Sequence, residues 1–212
     1  MAAKRILVLG ATGGTGQEVV AQALDQGHVV TAFARHPERM KRAHERLRFV
    51  VGDVADGGDA LADAVRGQDA VISALGRGLS LKAEGLIARG MPNIVGAMER
   101  QGVSRFIFTS AYGVGVTWRD LPLLSRLFAR LLLRDLYADK KAGEEVLRRS
   151  ALDWTIVYPT TLTNGPGTGR YRVGERLVLS GLPRISRADL AAFLLTQIED
   201  RRYIGKGVLI SG

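Results

Sequence analysis

Cysteine is absent from the 212-residue sequence, which excludes disulfides, thiolate metal sites and cysteine nucleophiles. Histidine is scarce. His28, His36 and His44 are the only three, none stands at metal-ligand spacing, and no metal centre is expected. Aromatic residues make up only 6% and do not interleave with the scattered arginines, so a nucleic-acid partner is not expected despite a net charge of +9. No apolar run approaches the roughly 20 residues that span a bilayer, so no membrane partner is expected. Residues Met1 to Arg5 lead straight into a short apolar run without the cleavage-site pattern of a signal peptide, which predicts a cytoplasmic protein.

What is present is ordinary globular material: 46% apolar and 24% charged residues. The length suits one domain over residues 1–212 with a substantial core. The basic balance favours an anionic cofactor or substrate. Short apolar runs bounded by glycine read as buried parallel strands at Ile6–Leu9, His28–Ala34, Leu47–Val51, Ala70–Ala74 and Arg105–Ser110. Helical spacing fills the intervals at Thr15–Gln26, Ala60–Arg66 and Met91–Gln101, with Pro92 in a first turn. Beyond Ser110 the pattern predicts helices over Trp118–Leu136, Asp139–Arg149 and Arg187–Asp200. It adds strands over Trp154–Tyr158 and Val208–Ser211, with a loop over Thr161–Tyr171. Alternation of this kind means an α/β fold, a doubly wound parallel sheet of Rossmann type. The C-terminal part, from about residue 159 to 212, is expected to contribute the substrate pocket.

The strongest local motif is Gly10-Ala11-Thr12-Gly13-Gly14-Thr15-Gly16. Gly10 permits a sharp turn off the strand, Gly13 leaves the backbone open to a pyrophosphate, and Gly16 lets the helix pack close to the sheet. Free N–H groups at the helix start, with the helix dipole, favour the phosphate charge. The second strand ends in Ala34-Arg35-His36-Pro37-Glu38-Arg39, with Arg35 19 residues beyond Gly16. An acidic residue there would bind a ribose 2′-hydroxyl. Arg35 can instead hold a 2′-phosphate in a bidentate fork, with Arg39 as a second cation, so NADP is expected over NAD. Asp53 follows the third strand, where it can accept from an adenine amino group or serve as a turn residue.

The chain resembles the atypical short-chain dehydrogenase/reductases, the NAD(P)-binding NmrA-like group that includes biliverdin reductase B, an NADPH flavin reductase. The glycine loop carries the resemblance together with Val50-Val51-Gly52-Asp53-Val54, Gly67-Gln68-Asp69-Ala70-Val71-Ile72 and Asn93-Ile94-Val95-Gly96-Ala97-Met98. Thr168-Gly169-Arg170-Tyr171 and Ile185-Ser186-Arg187-Ala188-Asp189-Leu190 extend it to nearly the whole chain. The resemblance implies cofactor contacts from Gly10 to Gly16, Arg35, Arg39, Asp53, Val54, Ala74, Leu75, Gly76, Thr109, Ser110, Tyr158, Pro159 and Thr160.

Dehydrogenases of the wider superfamily use a serine to bind the carbonyl oxygen, a tyrosine to protonate it and a lysine to hold the nicotinamide ribose and lower the tyrosine pKa. Ser110 stands at a strand end, and Tyr137 and Lys141 sit four residues apart, on one helix face with Glu145. The spacing makes Ser110, Tyr137 and Lys141 the catalytic candidates, and a solvated helix face stands beside that reading. Biliverdin reductase B lacks the tyrosine–lysine pair, which favours carbonyl chemistry here, and it carries a histidine where this chain has Thr161. The expectation is an NADPH-dependent oxidoreductase acting on flavin, quinone-like or carbonyl substrates, as a monomer or homodimer. A redox sensor that binds NADP(H) without turnover is the alternative. The leucine and arginine stripe of Trp118–Leu136 fits a lid, a dimer contact or a membrane-surface helix, and the first two are favoured because such a stripe usually packs on protein.

Overall fold

The computed structural model describes residues 2–40, 42–76, 85–120 and 133–212. Its strands are β1 (Arg5–Leu9), β2 (Val29–Ala34), β3 (Leu47–Val51), β4 (Ala70–Ser73), β5 (Arg105–Thr109), β6 (Asp153–Pro159), β7 (Thr161–Thr163), β8 (Arg172–Gly174), β9 (Arg184–Ser186) and β10 (Lys206–Ser211). Its helices are α1 (Gly14–Asp25), α2 (Gly58–Val65), α3 (Leu86–Gln101), α4 (Arg134–Arg149) and α5 (Arg187–Thr196). Eight strands form one sheet in the order β3-β2-β1-β4-β5-β6-β10-β8, parallel except for β8 at the edge. Strands β7 and β9 form a separate parallel pair.

Ile6 to Leu9 and Phe106 to Phe108 are fully buried, as strands covered on both faces must be. Helices α1 and α5 pack on one face through Val19, Val20, Leu190 and Leu194. Helices α2, α3 and α4 cover the other through Leu61, Ile94, Met98 and Leu147. The strand order reverses between β1 and β4. The carboxyl ends of these strands therefore open a crevice, the place where α/β sheets bind ligands.

The doubly wound architecture agrees with the sequence pattern, and several boundaries move. Helix α3 starts at Leu86, five residues before the periodicity suggests, because the Asp139 carboxylate accepts from the N–H groups of Ile87 (3.2 Å) and Ala88 (2.8 Å). A cap supplied by another helix leaves no local trace, and it places Pro92 inside α3 instead of in its first turn. Helix α4 starts at Arg134, not Asp139. Of the helix expected over Trp118–Leu136, Trp118 lies within a short 3₁₀ segment, Gly115–Asp120, and Arg134 opens α4, while 121–132 lie outside the described residues. The glycine-rich stretch after β6 is not all loop, since β7 pairs with β9 and β8 pairs with β10.

Helices α3 and α4 approach closely at Gly143, where a Cβ would collide with Ile87 Cγ2 and touch Met91 Cε at 3.5 Å. This contact sets how closely α4 packs on α3. Gly143→Val should destabilise the fold by about 1–3 kcal/mol through overpacking, read as a lowered denaturation midpoint with an unchanged slope.

Candidate active site

Two cavities along the carboxyl edge share Leu75 and make one groove. The first is lined by Gly10, Thr12, Phe33, Arg35, His36, Arg39, Asp53 and Val54. The second, of about 520 Å³, is lined by Gly13, Gly14, Thr15, Ala74, Gly76, Thr109, Ser110, Pro159, Thr160 and Arg187, with Leu133, Leu136, Leu162 and Lys140.

The glycine loop is shaped by close backbone approach. Gly10 has φ +76°, and a Cβ there would sit 2.9 Å from the Ala74 carbonyl. A Cβ on Gly16 would collide with the Gly10 carbonyl oxygen, so only glycine lets α1 start this close to β1. Among the described residues nothing lies within 4 Å of a Cβ on Gly76. In the first cavity Arg35 lies 3.5 Å from Asp53, whose other oxygen accepts from the Ala55 N–H at 2.9 Å. Glu38 pairs with His36 at 3.1 Å, does not line the cavity, and so leaves Arg35 and Arg39 facing it.

The other end of the groove is built by β5, β6 and α4. Ser110 Oγ donates to Glu144 Oε1 at 2.6 Å, and the Tyr158 hydroxyl donates to Glu144 Oε2 at 2.7 Å. Arg148 donates to the same hydroxyl at 3.0 Å. Burial raises the Glu144 pKa, against the hydrogen bonds from Ser110 and Tyr158 and the charges of Arg148 and Lys140. Burial likewise raises the Tyr158 pKa, and the Glu144 charge adds to it. Lys140 Nζ donates to the Thr109 carbonyl at 3.0 Å and lies 5.3 Å from the Phe108 ring centroid. Burial pushes the Lys140 ammonium down to about 8, against the attraction of Glu144 and Asp139. Thr109 Oγ1 is buried in this wall with no hydrogen-bond partner among the described residues.

Of the residues expected from sequence, the structure gathers Gly10, Thr12, Gly13, Gly14, Thr15, Arg35, Arg39, Asp53, Val54, Ala74, Leu75, Gly76, Thr109, Ser110, Pro159 and Thr160 along the groove. Gly16 lies behind it. Three others stand elsewhere. Tyr158 points into the core toward Glu144. Tyr137 and Lys141 line a different cavity with Trp118 and Gly113. The Tyr137 hydroxyl donates to the Tyr112 carbonyl at 3.0 Å, and exposed Lys141 lies 3.8 Å from Glu145. Lys140 takes the groove position, and the residue four before it is Leu136, which also lines the groove. The phase of α4 is set by its buried residues Asp139, Lys140, Gly143, Glu144 and Leu147. The tyrosine–lysine spacing obscures that phase, which the Gly143 and Leu147 positions could have signalled.

The residues present fit a nicotinamide dinucleotide: a backbone cradle that side chains would fill, two guanidinium groups at the ribose end, and a buried lysine and serine at the other. A family model described as NAD(P)H-binding matches residues 10–201, so the chain belongs to that family. Within it, loop and fold define an atypical short-chain dehydrogenase/reductase. The chain is 35% identical over 175 residues to an uncharacterised chloroplastic protein of Arabidopsis thaliana, covering 78% of this chain and 62% of that one. It is 32% identical over 164 residues to a 3-beta-hydroxysteroid dehydrogenase of Mycolicibacterium neoaurum, covering 66% and 41%. It thus spans less than two thirds of either relative's length. A short-chain dehydrogenase/reductase of Veillonella parvula, solved in complex with NADP, shares the fold at TM-score 0.83 and 22% identity, covering 100% of this chain and 95% of that one.

Tyr137→Phe should leave nucleotide affinity unchanged and cost about 1 kcal/mol of stability, the worth of one hydrogen bond. Calorimetric titration with NADPH and a denaturant melt check both parts.

Proposed function

We propose that this chain is an oxidoreductase that binds NADPH in preference to NADH and reduces a flat, largely apolar acceptor of the flavin or quinone kind. The observation that carries the reading is the combination of Arg35 and Arg39 at one end of the groove with Leu136 at the other. The two cations would meet a 2′-phosphate there, and among the described residues no carboxylate other than Asp53 lines that cavity. When bound, the nicotinamide supplies a hydride.

Around the reacting face, Leu133, Leu136, Leu162, Ala111 and Pro159 offer flat apolar contact and exclude water. Ser110, Lys140, Thr109 and Thr160 are polar groups beside them. Lys140 is placed to hold the nicotinamide ribose as a cation, the task that the superfamily gives its lysine. Leu136 stands four residues before it, where the superfamily carries its tyrosine acid, so among the described residues no phenol lines the groove to protonate a carbonyl oxygen. A flavin nitrogen or quinone oxygen needs no such donor in the hydride step. The Mycolicibacterium relative favours a second reading, a steroid-like carbonyl or alcohol bound against the same leucines.

NADPH should raise the melting temperature more than NADH at equal concentration, because a ligand of the native state stabilises it in proportion to its affinity. Arg35→Glu should weaken NADPH by about 10- to 100-fold and NADH much less. Tight NADPH binding without oxidation by any flavin, quinone or carbonyl acceptor would turn the reading to a redox sensor.

The buried lysine gives a pH signature. Below about pH 8 Lys140 is protonated and attracts the anionic nucleotide, and above it the charge is lost. A bound anion raises its pKa, so NADPH affinity should fall by up to about tenfold per pH unit above that point. Lys140→Met should flatten the profile, measured by fluorescence titration.

A further inference from the structure

Gly14 has no task in the spacing of Gly10, Gly13 and Gly16, and the structure supplies one. A Cβ on Gly14 would lie 2.8 Å from Arg187 Nε and 2.9 Å from its Cδ. The side chain of Arg187, the first residue of α5, lies across the glycine loop from the opposite end of the sequence. It lines the groove beside Gly13, Gly14 and Thr15.

This placement is held on several sides. Ser186 Oγ caps α5 by accepting from the Asp189 N–H at 2.9 Å. The Asp189 carboxylate accepts from the N–H groups of Thr168 and Gly169, each at 2.8 Å. Gln22 of α1 donates to the Ala188 carbonyl at 3.0 Å, which ties α1 and α5 together beside the loop. Arg187 Nη1 donates to Asn164 Oδ1 at 2.5 Å. No carboxylate lies within ion-pair distance of Arg187 among the described residues. A half-buried guanidinium oriented by a neutral amide, over backbone N–H groups at a helix start, is an arrangement for an anion.

We propose that Arg187, steadied by Asn164, is a clamp on the cofactor pyrophosphate, closing from the C-terminal part of the chain onto the N-terminal loop. Gly14 is glycine to give that side chain room. The inference rests on the cofactor reading of the groove. It adds that the segment after β6 binds cofactor as well as bordering the acceptor.

Three nucleotides separate the contributions: NADPH, NADH, and adenosine 2′-monophosphate, which carries the 2′-phosphate and no pyrophosphate. Calorimetric titration of Arg187→Ala should show NADPH and NADH weakened by about tenfold or more, with adenosine 2′-monophosphate within about twofold of wild type. Arg35→Ala should weaken NADPH and adenosine 2′-monophosphate together. Arg187→Lys should recover part of the loss, since it keeps the charge and loses the fork. Gly14→Ala, which displaces the side chain while leaving the arginine in place, should weaken NADPH in the same direction. Unchanged NADPH affinity in Arg187→Ala overturns the clamp, as does an equal loss for adenosine 2′-monophosphate. Wild-type protein that binds none of the three overturns the cofactor reading itself.

Discussion

The buried carboxylate of Glu144 joins three elements. It lies on α4, accepts from Ser110 at the end of β5 and from Tyr158 on β6, and has Arg148 nearby at 3.8 Å. A carboxylate this deep is tolerated because both oxygens are hydrogen-bonded and cations stand close. The consequence is geometric. Once Glu144 faces the sheet, the helix repeat places Lys140 one turn earlier on the same face and turns Lys141 out to solvent. The identity of the lysine in the groove follows from where Glu144 is satisfied.

The two faces of the sheet divide the work. On one, the α1 and α5 pair carries the glycine loop and Arg187, which line one part of the groove. On the other, the α3 and α4 pair carries Lys140 and Leu136, which line the part beside β5 and β6. Each pair is locked by contacts between residues far apart in sequence. Gln22 reaches Ala188 across the first pair, and Asp139 caps α3 across the second. Both ends of the groove are therefore mounted on rigid helices, while their spacing is set by the parallel strands between them.

Much of this was legible in the chain itself. The glycine spacing after an apolar run, the missing acid at the end of β2 and the rhythm of strands and helices gave the parallel sheet, the phosphate loop and the pair Arg35 and Arg39. These features are local, because a turn, a strand and a helix start are each written in a few adjacent residues. The start of α3 was not legible, because its cap is the side chain of Asp139, 52 residues from Ile87. The pairing of β7 with β9 was hidden too, since three-residue strands have almost no periodicity to read. Arg187 stood in the sequence only as the first residue of a helix and as part of the Ile185–Leu190 motif.

By itself the sequence determined the fold class, the glycine loop after β1 and the presence of Arg35 and Arg39 in place of an acid at the end of β2. Tertiary structure decided which of two adjacent lysines enters the groove and that a leucine, not Tyr137, stands a turn before it. It also brought an arginine from α5 over the first glycine loop. The division has a physical cause. Backbone conformation and hydrophobic period are set within short windows of chain, whereas the rotation of a helix about its axis is set by what its buried polar groups find on neighbouring elements.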